Sequence, residues 1–261
     1  MDKKTYAEGG ISRNVLKMIA IITITVGHFF LYTLTTLNVV QKIPKPWGKL
    51  LCYVCFVGPP IFMFFISEGF RYTSSKKRYG MRLFLFAIIT QVAHAITTDS
   101  GLGFDLKIFF FSWNVFFALL IGFLDLCILN SKVNMVIRLF GVLATLILSY
   151  VMKTEWRVYG PLIIMAFYYL RERKLLKTVV TSILIYLSLI LGDYELGGTL
   201  EIYLWTKQMP YILSFSIIGI ILVSFFYKGK NGAKNNFLKY FFYVFYPLHL
   251  IIIHAVNWLA S

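Results

Sequence analysis

Two ionisable side chains, Lys17 and His28, lie eleven residues apart in a stretch, about 15–40, that is otherwise nearly all apolar. In an α-helix eleven residues make about three turns, so both side chains point to one face, roughly 16 Å apart along the axis. Asn14 falls on nearly the same line. Histidine is the natural general base at neutral pH, because its imidazole exchanges a proton there. The spacing therefore predicts a polar site inside the protein, with His28 as its first candidate for chemistry.

A second histidine, His249 in the segment FYPLH, is the predicted counterpart of His28. It lies about halfway along the last apolar segment, close to Pro247, which removes one backbone hydrogen bond and can open the helix locally. An ionisable group at the centre of a bilayer costs at least ~2.5 kcal/mol, so such a group usually faces the protein interior. The residues alone favour neither of two interpretations of His249, a histidine packed in the core and a histidine of a functional site.

The elements that position these residues are predicted membrane helices. The chain has 261 residues, of which 59% are hydrophobic and 18% aromatic, and its apolar runs are long enough to cross a bilayer. These features predict an all-α, polytopic membrane protein with about nine transmembrane helices (alternatively eight to ten) in a single domain, 1–261. The predicted spans are about 15–40, 50–70, 81–98, 107–129, 133–151, 158–171, 175–192, 209–227 and 238–259.

The net charge is +15, and the distribution of the positive residues fits the predicted membrane topology. Of the 26 Lys and Arg residues, 19 fall on one side if the N-terminus and every second loop are cytoplasmic, as the positive-inside rule requires. The prediction is a cytoplasmic N-terminus, a C-terminus outside, and no nucleic-acid partner. Cys52 and Cys55 form a C-x-x-C without a second Cys or His pair nearby, so packing is favoured and no metal site is predicted.

The second predicted span ends in a run of charged residues with two interpretations. Glu68 and Arg71 are three residues apart, close enough to form an ion pair at the end of the helix. Alternatively the cations form a rim that binds phosphates by charge-assisted hydrogen bonds, although the same rim would attract anionic lipid headgroups. The rim consists of Arg71, Lys76, Lys77, Arg78 and Arg82.

Two further pairs of polar residues lie within predicted spans. Gln91 shares a helix face with His94, and Asn114 shares one with Asp125. Such residues more often form interhelical hydrogen bonds than binding sites. Gln91 and Asn114 are accordingly predicted to be structural or to contact a substrate.

Five segments, in the same order, resemble the TraX family of membrane proteins. The first-helix segment LKMIAIITITVGHFF is similar to the family's Leu-Lys-x-Ile-Ala stretch with its later Asp-His. The others are IFMFFISEGFRYT, the Asn-Val pair at 114–115 with GFLDL, YGPLIIMAFYYL, and FYVFYPLHLIII. The spacing from Lys17 to His28 also resembles the Arg-x10-His pattern of the broader membrane acyltransferases.

The resemblance implies an activity and a set of roles. The family is named for a conjugal-transfer protein that acetylates pilin, so it implies an acyltransferase of the bacterial inner membrane that takes acetyl from cytosolic acetyl-CoA. By this resemblance His28 is the acyl-transfer residue, and we expect His249 to polarise the carbonyl or position the acceptor. Lys17, Arg71, Arg78 and Arg82 would hold the phosphates of CoA. The acceptor would be an amine or hydroxyl delivered through the membrane, and lipids are the other expected partner.

The chain departs from the family pattern at two places. Gly27 stands where the family has the Asp before its histidine, so a carboxylate serving His28 must come from another helix. Tyr53 and Val54 replace a Gly-Arg pair. Two alternative functions stay open, a transporter or flippase and an assembly subunit without activity. The sequence does not indicate the acceptor or the oligomeric state.

The predicted orientation is tested by cysteine accessibility. A cysteine at Lys76 or Lys234 should react with an impermeant thiol reagent only after the membrane is opened, whereas one at Asp99 should react in intact cells. Labelling of the two lysine positions from outside would reverse the topology.

Overall fold

The structure is a computed structural model that describes residues 10–34, 43–44, 46–97, 104–192, 202–227, 229 and 236–260. This part of the chain is helical, apart from connections and one isolated bridge between Ile11 and Tyr227, which confirms the all-α prediction. In chain order the helices are α1 (Arg13–His28), α2 (Trp47–Tyr53), α3 (Gly58–Tyr72), α4 (Lys76–Ile96), α5 (Leu106–Phe111), α6 (Val115–Leu129), α7 (Met135–Val151), α8 (Tyr159–Tyr169), α9 (Lys174–Gly192), α10 (Ile202–Ile221) and α11 (Asn236–Ala260).

Seven helical stretches of the described chain are long and apolar enough to cross a membrane, and α7 and α8 are shorter apolar helices. The protein is therefore a multi-pass membrane protein, as predicted. The number of crossings and the orientation stay predictions. The end of the first predicted span, 35–40, lies outside the described residues. The seven long stretches are Arg13–Tyr32, Trp47–Tyr72, Lys76–Ile96, Leu106–Leu129, Lys174–Leu191, Gln208–Phe226 and Tyr240–Leu259.

The second predicted span is not one continuous α-helix. It consists of α2, a 3-10 segment over Val54–Val57, and α3. The break has a local cause, because Pro59 and Pro60 lack a backbone N–H and fit only the first turn of a helix. The 3-10 segment brings backbone atoms close to α1, where the candidate site lies.

The predicted cationic rim is also partly helical rather than a loop. Lys76 begins α4, and the side chain of Ser75 caps this helix by accepting from the backbone N–H of Arg78 at 3.3 Å. The apolar pattern predicts a helix that begins only at residue 81, because the charged residues before it interrupt that pattern. A serine before the first turn is a helix N-cap signal, and Ser75 is the N-cap of α4.

The core of the fold lies around α3 and α6. Eleven of the fifteen residues of α6 are buried, and this helix packs against α4, α7 and α8. On the other side of the core, α3 packs against α1, α8 and α10. By contrast α7 exposes most of its apolar side chains, as a helix at the lipid boundary does.

Gln91 and Asn114 form a buried hydrogen-bond network that joins α4 to the start of α6. The side-chain amide of Gln91 donates to the carbonyl oxygens of Ile108, Phe109 and Ser112 at 3.0, 3.2 and 2.8 Å. Its own carbonyl oxygen accepts from the backbone and side-chain N–H groups of Asn114 at 3.0 and 2.7 Å. Buried backbone groups must find such partners within a membrane protein, so the geometry gives both residues a structural role.

Replacing Gln91 by Ala should destabilise the protein, because several buried polar groups lose their partners at once. We expect a loss of about 1–3 kcal/mol in the free energy of unfolding, measured by thermal or denaturant unfolding of the purified protein. The matched control is Thr90→Val, at a fully buried neighbour whose hydroxyl has no hydrogen-bond partner in the described chain. Equal stability of the Gln91→Ala and Thr90→Val variants would contradict this role.

Candidate functional site

A cavity of about 230 Å³ lies beside α1 and receives both ionisable residues of that helix. Residues of α1, the 3-10 segment, α3, α4, α6, the connection between α7 and α8, and α11 line this central cavity. Lys17 and His28 both line it, so one helix face runs along its length. We refer to the Lys17 end and the His28 end of the cavity.

At the His28 end, the histidines of the first and last helices are in direct contact. Nδ1 of His28 lies 3.0 Å from Nε2 of His249, and the rings are stacked with centroids 5.2 Å apart. Nδ1 of His249 lies 3.3 Å from the carbonyl oxygen of Phe245. A carbonyl oxygen can only accept, so Nδ1 of His249 carries a hydrogen.

This chain of contacts fixes the tautomer of His28. When His249 is neutral with its hydrogen on Nδ1, its Nε2 accepts, and Nδ1 of His28 must donate. In neutral His28 the other nitrogen, Nε2, then carries the lone pair. In this arrangement Nε2 of His28 can accept a proton.

The same contacts leave His249 no free ring nitrogen for a substrate. The sequence-based assignment had this residue polarising a carbonyl or positioning an acceptor. In the structure both of its ring nitrogens face protein partners, and only 3% of the residue is exposed. His249 therefore orients the imidazole of His28, and polarisation of a carbonyl requires a different hydrogen-bond donor.

The backbone changes its winding directly after His28. The chain continues from α1 into a π-helical segment, Phe29–Leu34, and such wide turns are frequent at functional sites. Tyr32, one turn beyond His28, has its ring 5.3 Å from the imidazole in an edge-to-face contact. Both residues line the central cavity.

Two residues that were not selected from the sequence complete the His28 end. Glu155, in the connection between α7 and α8, hydrogen-bonds to the backbone N–H of Val115 and to the hydroxyl of Tyr246. Burial raises the pKa of Glu155 to about 7, although these two hydrogen bonds act against the shift. A carboxyl group of this kind changes its protonation near neutral pH.

At the Lys17 end the cavity wall combines cations with aromatic rings. Nζ of Lys17 lies 5.4 Å from the ring centre of Phe65 and 4.9 Å from that of Phe242. Arg82 hydrogen-bonds to the hydroxyl of Tyr243, which lines the cavity. A cation in such a cage is held by the faces of the rings, so positive charge is concentrated at this end.

Four other predicted site residues, on α1, α3 and α4, do not line the cavity. Arg71 and Arg78 are exposed, and the guanidinium of Arg71 lies over the ring of Tyr72. Glu68 interacts electrostatically with Arg71 and also with two other cations. Those cations are Arg13 and Lys177. Asn14 is partly buried on α1.

Comparison with known proteins identifies the family. A family model described as TraX protein matches residues 12–257. The chain belongs to the TraX family. It is also 28% identical over 254 residues to a Dichelobacter nodosus protein named "Probable fimbrial assembly protein FimC, serogroup H1", covering 93% of this chain and 97% of that protein. No solved structure matches the chain.

The structure explains why this TraX chain has glycine before its histidine. A Cβ atom added at Gly27 would lie 2.5 Å from Cβ of Cys55, 2.6 Å from the backbone nitrogen of Cys55, and 2.9 Å from the carbonyl oxygen of Cys52. The backbones of α1 and the 3-10 segment are therefore in contact at Gly27, and an Asp side chain has no space. The histidine partner of His28 comes instead from α11, while the carboxyl group at this end of the cavity comes from Glu155.

The sequence contained little that would select Glu155 or Tyr246. Glu155 lies in a short connection where an acidic residue is expected to be solvated, and Tyr246 is one of 17 tyrosines. The one available signal for Tyr246 is its position three residues before His249, which places both on one face of a helix. Glu155 depends on a fold-level contact between the α7–α8 connection and the start of α6.

Gly27→Ala should weaken the fold because the new methyl group meets backbone atoms that cannot move aside. We expect a clear fall in the midpoint of thermal unfolding and a destabilisation of about 1–3 kcal/mol, typical of overpacking. Gly141→Ala is the matched control, since its Cβ would lie 3.1 Å from a side-chain methyl of Ile128. A Gly27→Ala protein as stable as the control would show that the two segments can separate freely.

Proposed function

We propose that this protein is an integral-membrane acetyltransferase that moves an acetyl group from cytosolic acetyl-CoA to an amine or hydroxyl of an acceptor delivered through the membrane. One observation carries the proposal. His28 lies at one end of the central cavity with the lone pair of its Nε2 available as a base, while Lys17 lies at the other end. The association of the TraX family with pilin acetylation agrees with this assignment.

The two ends of the cavity suit the two parts of the donor. The phosphates of CoA require charge-assisted hydrogen bonds, which Lys17 and Arg82 would supply, with Arg71 and Arg78 exposed nearby. The apolar and aromatic walls between the ends suit the uncharged arm that carries the thioester. The acetyl carbon would then reach His28, roughly 16 Å from Lys17 along α1.

The reaction itself is a transfer between two nucleophiles. The acceptor's amine or hydroxyl attacks the thioester carbonyl carbon while Nε2 of His28 removes its proton. When the carbon–sulfur bond breaks, the thiolate of CoA leaves and takes that proton from the imidazole. His249 holds the ring of His28 in one tautomer throughout.

The name of the Dichelobacter nodosus relative supports a second candidate, an assembly subunit without activity of its own. In both cases a pilin-like peptide of the bacterial inner membrane is the proposed partner. The candidates differ in their need for the donor. Binding of acetyl-CoA to the detergent-solubilised protein supports the enzyme, whereas normal pilus assembly by a His28→Ala variant supports the assembly subunit.

The principal test compares His28→Ala with His254→Ala in membranes supplied with radiolabelled acetyl-CoA. Loss of a general base typically slows turnover by about 10²–10⁴-fold, so we expect that reduction for His28→Ala. The control, His254, is on the same helix as His249 but does not line the cavity. Mass spectrometry of cell envelopes then identifies the species that gains an acetyl group only with active protein. Unchanged acetyl transfer by His28→Ala would refute the proposed mechanism.

A further inference from the structure

The proposed reaction needs one group that neither His28 nor His249 supplies. As the nucleophile attacks, negative charge develops on the thioester carbonyl oxygen, and a hydrogen-bond donor at that oxygen is usually a large contribution to catalysis. His28 is used as the base, and the nitrogens of His249 face His28 and Phe245. The donor must therefore be another polar group at the His28 end.

Tyr246 brings a hydroxyl group, a hydrogen-bond donor, to this end of the cavity. Its ring is 5.0 Å from the ring of His249 in an edge-to-face arrangement, and it lines the central cavity together with His28 and Tyr32. Its hydroxyl is hydrogen-bonded to Glu155, which reaches the cavity from the connection between α7 and α8. Tyr246 is thus held by its own helix, α11, and by its hydrogen bond to Glu155.

The connection that carries Glu155 has an unusual backbone. Lys153, Trp156 and Arg157 have φ angles of +46°, +65° and +42°, in the left-handed region that non-glycine residues rarely adopt. Such strained positions persist only where surrounding contacts hold them, and they cluster at functional sites. Trp156 lines the cavity together with Glu155.

Hydrogen bonds at both ends of the connection maintain this conformation. The hydroxyl of Thr154 lies 2.7 Å from that of Ser149, which donates to the carbonyl oxygen of Arg157 at 2.9 Å. The backbone N–H of Glu155 donates to the carbonyl oxygen of Trp113 at 2.9 Å. The carboxyl group of Glu155 is therefore held on a rigid support.

From this geometry we infer that the Tyr246 hydroxyl donates a hydrogen bond to the thioester carbonyl oxygen during acetyl transfer, and that Glu155 is the residue that positions it. The inference rests on the proposed function. As the carbonyl π electrons move onto oxygen, Tyr246 stabilises the charge. When they return, the carbon–sulfur bond breaks and the thiolate takes the proton from His28.

The protonation of Glu155 decides whether the hydroxyl of Tyr246 is available. An ionised carboxylate can only accept, so it takes the hydroxyl hydrogen of Tyr246 for itself. A protonated Glu155 can donate to the oxygen of Tyr246 and still accept from Val115, which releases the hydroxyl hydrogen for the substrate. Because burial raises the pKa of Glu155 to about 7, the active protonated form is lost as the pH rises above 7.

Other groups at the His28 end are neutral or directed elsewhere. The N-terminus of α6 presents the Val115 N–H, and Lys153, on the same connection, is exposed. The guanidinium of Arg157 lies over the ring of Tyr150, 5.6 Å from its centre. The titratable side chains that surround the pair are His28 from α1, Tyr32 from the π-helical segment, Cys55 from the 3-10 segment, and His249 from α11.

The test uses Tyr246→Phe and Glu155→Gln in membranes supplied with radiolabelled acetyl-CoA. Tyr246→Phe should slow acetyl transfer by about 10²–10³-fold, the usual effect of removing one such donor, while acetyl-CoA still binds. Tyr159→Phe, at a tyrosine that does not line the cavity, is the matched control and should keep the wild-type rate.

Glu155→Gln tests the positioning role through the pH profile. The glutamine amide accepts from Val115 and donates to Tyr246 at every pH, as only the protonated glutamate does. The ratio of the Glu155→Gln rate to the wild-type rate should therefore rise about tenfold per pH unit above pH 7, and the titration of His28 cancels in this ratio. A ratio that does not change with pH, or a variant that binds acetyl-CoA but is inactive at all pH values, overturns the role of Glu155.

The results separate this inference from the proposed function. Wild-type membranes that neither bind acetyl-CoA nor incorporate acetyl would overturn both. Wild-type transfer accompanied by an equally fast Tyr246→Phe variant would overturn the inference alone, because acetyl transfer would then proceed without this donor.

Discussion

The contact between the imidazoles of His28 and His249 is the interaction on which the site depends. In a helix bundle surrounded by lipid, an ionisable side chain must find its hydrogen bonds within the protein. These two residues find them in each other, at 3.0 Å, and so connect the first helix of the chain to the last. The contact also assigns a single tautomer to His28, because the far side of His249 ends at a backbone carbonyl.

The close approach of backbones at Gly27 is the second constraint, and it distinguishes this chain from the family pattern. With no side chain at position 27, α1 and the 3-10 segment pack in direct contact, and Cys55 occupies the space that an aspartate would need. The carboxyl group at this end of the cavity therefore comes from Glu155, which is distant from the histidine in sequence. His249 orients the imidazole of His28. Glu155 brings a carboxyl group to the cavity, where it hydrogen-bonds to Tyr246. The loss of the family aspartate thus does not leave the His28 end without a carboxyl group.

Much of the architecture was accessible from the sequence because membrane helices have a simple physical signature. Apolar length predicted the helices, and helical spacing predicted that Lys17 and His28 share a face, as their positions in one cavity show. The break at Pro59 and the early start of α4 at Lys76 were missed, since local capping and proline effects are weaker signals than hydrophobicity. Glu155 could not be predicted from spacing, because its position depends on a strained connection that meets α6 only in the folded chain.

The placement of Lys17 and His28 on a single uninterrupted helix has a consequence for selectivity. Between them α1 is a regular helix, so in the proposed reaction the depth at which a thioester meets the imidazole would be set by a rigid element. A shorter carrier would leave its acyl group below His28. A bulkier acyl chain would meet the rings of Tyr32 and Trp156, which line the cavity. Under the proposed function, the fold would therefore discriminate among acyl donors by their length.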